Sequence, residues 1–215
     1  MVRKRGKVCL GATAVLCTLS GCGRPSCHPR GTDRLVPGGT TMGNVIYLEG
    51  QPEHTALSMG NGLTDTLISA LLLSGSQLAK TDQEKRLIVW LAEKDQSAVG
   101  MGTVGFSVLD MPWDRNTLEQ NRSFLRRTVE QAKLRRGWEL LDYQPSEELL
   151  LPSLEKFLFL IAQLKQADIQ PDCLEAWLAE AAENDPVRCG FPRCPKHHTL
   201  LTVFGCQICN HGSFG

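Results

Sequence analysis

From Met42 onward the apolar residues recur at helical spacing. Within 64–80, Leu67, Ile68, Leu71, Leu72 and Leu78 form a face that Gly75 interrupts. The Asp, Thr and Ser residues of that run fit a buried helix rather than a membrane span. Thr81 and Glu84 stand at capping-box spacing ahead of Leu87, Ile88 and Leu91, which predicts a helix over 81–95. Leu118, Leu125, Val129 and Ala132 make a third face, with Asp114 placed to cap it and Gly137 to terminate it. The apolar stretch 146–166 contains Pro152, which predicts a kink or two helices. Pro171 suits a first helical position ahead of Leu174, Trp177, Leu178 and Ala181.

Two segments read differently. Residues 44–49 (NVIYLE) suit one short strand, and the glycine-rich, β-branched stretch 99–109 suits a strand or hairpin arm. The expected fold is mainly α: a single domain of about five helices, a short β element and a small C-terminal zinc-binding hairpin. The chain divides into 1–41, a helical body over 42–185, and a C-terminal module over 186–215.

Charge supports that division. The net charge is zero, yet residues 1–41 hold seven Lys/Arg against one Asp, and residues 42–185 hold thirteen against twenty-two Asp/Glu. A basic front end on an acidic body suggests segments of different purpose and gives no whole-chain argument for nucleic acid or membrane binding. The nine cysteines lie at 9, 17, 22 and 27 and at 173, 189, 194, 206 and 209, with none between the two groups, so the central domain is not expected to be a disulfide scaffold.

Two readings fit residues 1–41. In one, 1–7 is a basic leader, 8–19 a short apolar run and Leu19-Ser20-Gly21-Cys22 a lipobox, as in a bacterial lipoprotein anchored through Cys22. In the other, Gly38-Gly39 reflects a ribosome-binding site, translation starts at Met42, and the protein is cytoplasmic. Thiolate ligands in the tail survive better in a reducing compartment, which favours Met42.

Those ligands are Cys194, His197, Cys206 and Cys209. Cys194-Pro195-Lys196-His197 and Cys206-Gln207-Ile208-Cys209 are two donor pairs at x₂ spacing, separated by eight residues that suit a hairpin. Pro195 sets a turn after the first ligand, Gly205 frees the backbone before the third, and Asn210 tolerates a left-handed conformation after the fourth. Soft sulfur with imidazole selects Zn²⁺ over a hard cation. Four strong ligands describe a closed, structural site, with Cys189, His198 and His211 as alternates. Over about twenty residues the run resembles the first half of a B-box or a short zinc ribbon; the second metal-binding half of a B-box is absent, and no B-box function follows.

Other motifs carry less. Gly100-Met101-Gly102-Thr103-Val104-Gly105 is a literal GxGxxG, but a helix is expected before it and extended chain after it, the reverse of a dinucleotide site. A bend or close backbone packing is the expected role. Arg115, Arg122, Arg126 and Lys133 align on one helix and form a candidate phosphate-binding stripe. Residues 139–185 hold eleven Asp/Glu against two Lys, so the stripe can equally face the chain's own helices. Asp95, Asp110 and Asp114 surround the glycine-rich stretch and could line a cleft or simply cap loops. No nucleophile, base and oxyanion set is assembled by spacing.

The favoured expectation is a non-enzymatic protein, acting through protein contacts or as a regulatory subunit, with a protein partner preferred to nucleic acid. The alternatives are a nucleic-acid binder using the basic helix 115–136 with the tail, and an enzyme with its site between Gly100 and Asp110.

Overall fold

The structure is a computed structural model and describes residues 44–211. The readings of Cys22 and Met42 lie outside the described residues. The fold is mainly helical, with one small sheet.

Strand β1 (Asn44–Tyr47) lies at the centre of that sheet. It pairs antiparallel with β2 (Leu57–Met59) and parallel with β3 (Phe106–Ser107). Ile46 is fully buried and faces Leu57 on one side and Phe106 on the other. Strand β2 was not anticipated, because three residues are too few to show a period. The glycine-rich stretch leads into β3, and its role is steric: a Cβ on Gly105 would strike the backbone N and O of Val45 on β1.

Helix α1 (Asn61–Leu78) is the hub, packed against α2 (Asp82–Ala92), α3 (Leu118–Lys133) and α4 (Glu147–Gln163). Every residue from Leu67 to Ser76 is buried, so α1 presents no solvent face in that stretch. Gly75 does not interrupt the helix as the pattern suggested. It lets three helices approach, since a Cβ there would overlap Ile88 of α2 and lie 3.3 Å from Thr128 of α3.

The N-terminus of α2 is capped as expected. Glu84 N–H donates to Thr81 Oγ1 at 3.2 Å, and Thr81 N–H donates to Glu84 Oε2 at 3.0 Å. Asp114 Oδ1 accepts from Asn116 N–H at 2.9 Å and holds a 3₁₀ turn, Arg115–Thr117, that feeds α3. The left-handed residue after α3 is Arg135 (φ 61°), while Gly137 (φ 85°) opens the next 3₁₀ turn. Helix α4 runs unbroken through Pro152, so the stretch is one helix and not two. Pro152 lies in the second turn, and the carbonyl it cannot serve belongs to the exposed residue Glu148. Helix α5 (Cys173–Ala179) starts two residues beyond Pro171 and buries Trp177. Among the described residues, no helix is long and apolar enough to cross a membrane.

Replacing Gly105 with Ala is expected to destabilise the fold by about 1–3 kcal/mol, because the new methyl meets fixed backbone rather than a movable side chain. Urea denaturation reads this as a lower midpoint. An unchanged midpoint would mean that β1 and β3 can separate at little cost.

Candidate metal centre

The segment that carries the four candidate ligands begins at a tight turn. His198 N–H donates to Cys194 O at 2.9 Å, closing the loop over Pro195, Lys196 and His197. The same loop turns His197 N–H onto Cys194 Sγ at 3.4 Å. His198 then takes a left-handed conformation (φ 57°), and bridges Arg193–Leu200 and Thr202–Gly205 fold the chain back. Gly205 is left-handed (φ 87°), as its place before the third ligand suggested. Asn210 is not left-handed: it lies inside the short helix α6 (Gln207–His211), which carries the last ligand.

This path brings four donor atoms to one point. His197 Nδ1 lies 3.4 Å from Cys206 Sγ, 3.4 Å from Cys209 Sγ and 3.8 Å from Cys194 Sγ; the Cys194 and Cys209 sulfurs are 3.8 Å apart. Around a tetrahedral Zn²⁺ the corresponding edges are about 3.8 Å for sulfur–sulfur and about 3.6 Å for sulfur–nitrogen. The Cys₃His cluster can hold a metal ion, and its spacing is consistent with zinc. Cys189 and His198, considered as alternate ligands, are not in it.

The electrostatics favour a cation there. Burial, then nearby Lys196 and His198, hold His197 below its ordinary pKa, leaving the neutral imidazole that a metal requires. Burial opposes ionisation of Cys194, but N–H groups of His197 and Lys196 and the neighbouring Cys206 and Cys209 outweigh it and lower its pKa. Cys209 bears the opposite effect: burial first, then the adjoining cysteines, push it up to about 12. Three sulfurs sharing one point resist becoming thiolates together, and a dication relieves that conflict.

The module is docked on α1 by polar contacts that sequence spacing did not reveal. Arg193 Nη1 donates to Ser76 O at 2.7 Å, Leu200 N–H donates to Ser76 Oγ at 3.0 Å, and Gln207 Nε2 donates to Ser69 Oγ at 3.0 Å. Leu73, one turn from each serine, packs with Cys194, Cys206 and Ile208. Asp65, Ser69, Leu73 and Ser76 therefore form one stripe along α1 facing the tail. The available signal was the set of polar residues in an otherwise apolar helix.

A second group was also missed. His211 Nε2 lies 3.1 Å from Asp65 Oδ1 and 3.2 Å from Asp95 Oδ2, joining α1, the loop after α2 and α6. Hydrogen bonds to Asp65 and Asp95 push the His211 pKa up to about 10, against the effect of burial. Burial would raise the Asp95 pKa, but bonds from His211 and Ser97 prevail and lower it. Asp95 thus faces the tail, while Asp114 caps the 3₁₀ turn before α3.

The basic stripe divides. Arg122 donates to Ala162 O at 2.7 Å and to Glu119 at 3.0 Å, and Lys133 lies 3.3 Å from Glu155 of α4. Arg126 is exposed, and Arg115 lines a polar cleft with Asp114, Asn116, Gln166 and Pro171.

Comparison with protein-family models, with curated proteins and with solved structures found no match.

Ser76→Ala is expected to cost about 1–3 kcal/mol, because the Leu200 N–H is buried and loses its acceptor. Thermal melting monitors the loss. An unaltered Tm would show that another group accepts this hydrogen bond.

Proposed function

We propose that this protein is a helical protein-interaction or regulatory protein whose C-terminal module is organised by one structural Zn²⁺ on Cys194, His197, Cys206 and Cys209. The observation that carries the zinc assignment is the near-tetrahedral convergence of three sulfurs and one imidazole nitrogen, with every position supplied by the chain. A closed shell leaves no position for substrate, so this ion shapes the fold rather than performing chemistry.

The polar docking stripe fits the same role. It couples the metal module to α1 and so makes the shape of the tail a property of the whole body. Exposed Val99 and Met101, at the turn between Asp95 and Thr103, offer apolar contact on the surface. Zinc thiolates also fit a reducing compartment and translation from Met42; anchoring through Cys22 is the competing arrangement.

The nucleic-acid reading draws less support. Arg122 and Lys133 are engaged with α4, so a phosphate backbone would have to compete with carbonyls and Glu155 for two of the four cations. The enzyme reading gains nothing from the GxGxxG stretch, where glycines serve turns and close packing.

Reduced, full-length protein is expected to hold one tightly bound zinc, and a strong chelator should lower its Tm. Cys206→Ser should abolish tight binding, since metal supplies on the order of 10 kcal/mol to small thiolate modules. Elemental analysis with melting curves decides the matter, and metal-free protein indifferent to the chelator would refute the zinc reading. Reversing Arg122 and Arg126 to Glu should leave any nucleic-acid retention in gel-shift titration unaltered. Salt-dependent binding that this double variant loses would instead favour the nucleic-acid rival.

A further inference from the structure

We infer that Asp65, Asp95 and His211 form a second metal site, open in coordination and distinct from the thiolate cluster. The three donor atoms come from α1, the loop after α2 and α6, and all lie within 4.8 Å of one another. The separations from His211 Nε2 to the two carboxylate oxygens, 3.1 and 3.2 Å, approach the edges of about 3.0–3.5 Å expected when oxygen and nitrogen surround a first-row dication at about 2.1 Å.

The carboxylates are held in place by other groups. Ser97 N–H donates to Asp95 Oδ1 at 2.9 Å, which leaves Oδ2 toward His211. Gln207 Nε2 contacts Asp65 Oδ1 at 3.4 Å while donating to Ser69 Oγ. Such outer hydrogen bonds orient the ligands of a metal centre.

One further atom points to a hydrated ion. Gln207 is 4 % exposed, and its Oε1, on the same amide that contacts Asp65, has no hydrogen-bond partner among the described residues. A metal-bound water is a donor that Gln207 Oε1 can accept from, and buried acceptors rarely stay unpaired.

The donor set selects the ion. One imidazole with two carboxylates suits Zn²⁺ or Mn²⁺; without thiolate it does not suit Cu⁺, and the imidazole disfavours Ca²⁺. Three protein ligands leave positions for water or for an oxyanion such as a carboxylate or phosphate. This inference does not depend on the thiolate cluster binding zinc.

Cobalt titration of reduced, metal-stripped, full-length protein separates the two sites. The thiolate site should give strong sulfur-to-cobalt charge-transfer absorption with one equivalent. The second site should add one equivalent with only weak visible bands. Asp95→Asn and His211→Gln should each reduce the total from two equivalents to one and keep the charge-transfer band. Cys209→Ser should remove that band and leave the weaker site. Saturation of folded wild-type protein at one equivalent, with the charge-transfer band, overturns the second site and leaves His211 as a charged link between two aspartates. Two equivalents unaffected by both Asp95→Asn and His211→Gln would overturn its assignment to these residues. Absence of any charge-transfer band refutes the thiolate site instead. The count on unmodified protein decides even where a variant fails to fold.

Discussion

Three sulfurs and an imidazole nitrogen lie within 4.8 Å of one another at the C-terminal end of the described chain, and this closeness fixes the path of everything after Arg193. Thiolates at such distances repel strongly unless a compensating charge sits among them. The turn at Pro195, the left-handed His198 and Gly205, and the short helix α6 each place one donor at that point. A segment of this size buries too little apolar surface to hold such a course alone.

The module is nevertheless not a free satellite. Its polar atoms are distributed along α1, where Ser69 and Ser76 are wholly buried and serve the tail rather than their own helix. Helix α1 therefore has two kinds of neighbour: α2, α3 and α4 pack against its apolar sides, and the C-terminal segment covers its polar stripe. The carboxylate–histidine group lies at one end of that stripe and the Ser76 contacts at the other.

Much of this was legible in the residue pattern. The capping box at Thr81 and Glu84 and the apolar face of α3 declare themselves locally, because each depends on residues within one or two turns. The Cys₃His group was legible for the same reason: each of its two donor pairs is separated by only two residues. Strand β2 and the continuity of α1 through Gly75 were not legible, since both depend on neighbours distant in sequence. The pairing of His211 with Asp65 and Asp95 was hidden in the same way. Asp65 reads as one polar interruption in an apolar helix, and nothing within a few residues of it names its partner.

The stripe on α1 has a consequence for how the protein is made. Its contacts with the tail span 117 residues for Ser76 with Arg193, 124 for Ser76 with Leu200, 138 for Ser69 with Gln207 and 142 for Asp65 with Gln207. During synthesis the helix emerges long before its partners, so its serines and aspartate must stay hydrated until the segment carrying Arg193, Leu200 and Gln207 leaves the ribosome. Connections this long slow folding, because the entropy of closing the loop is lost before the contacts form. The most central helix of the fold is thus among the last to reach its final surroundings.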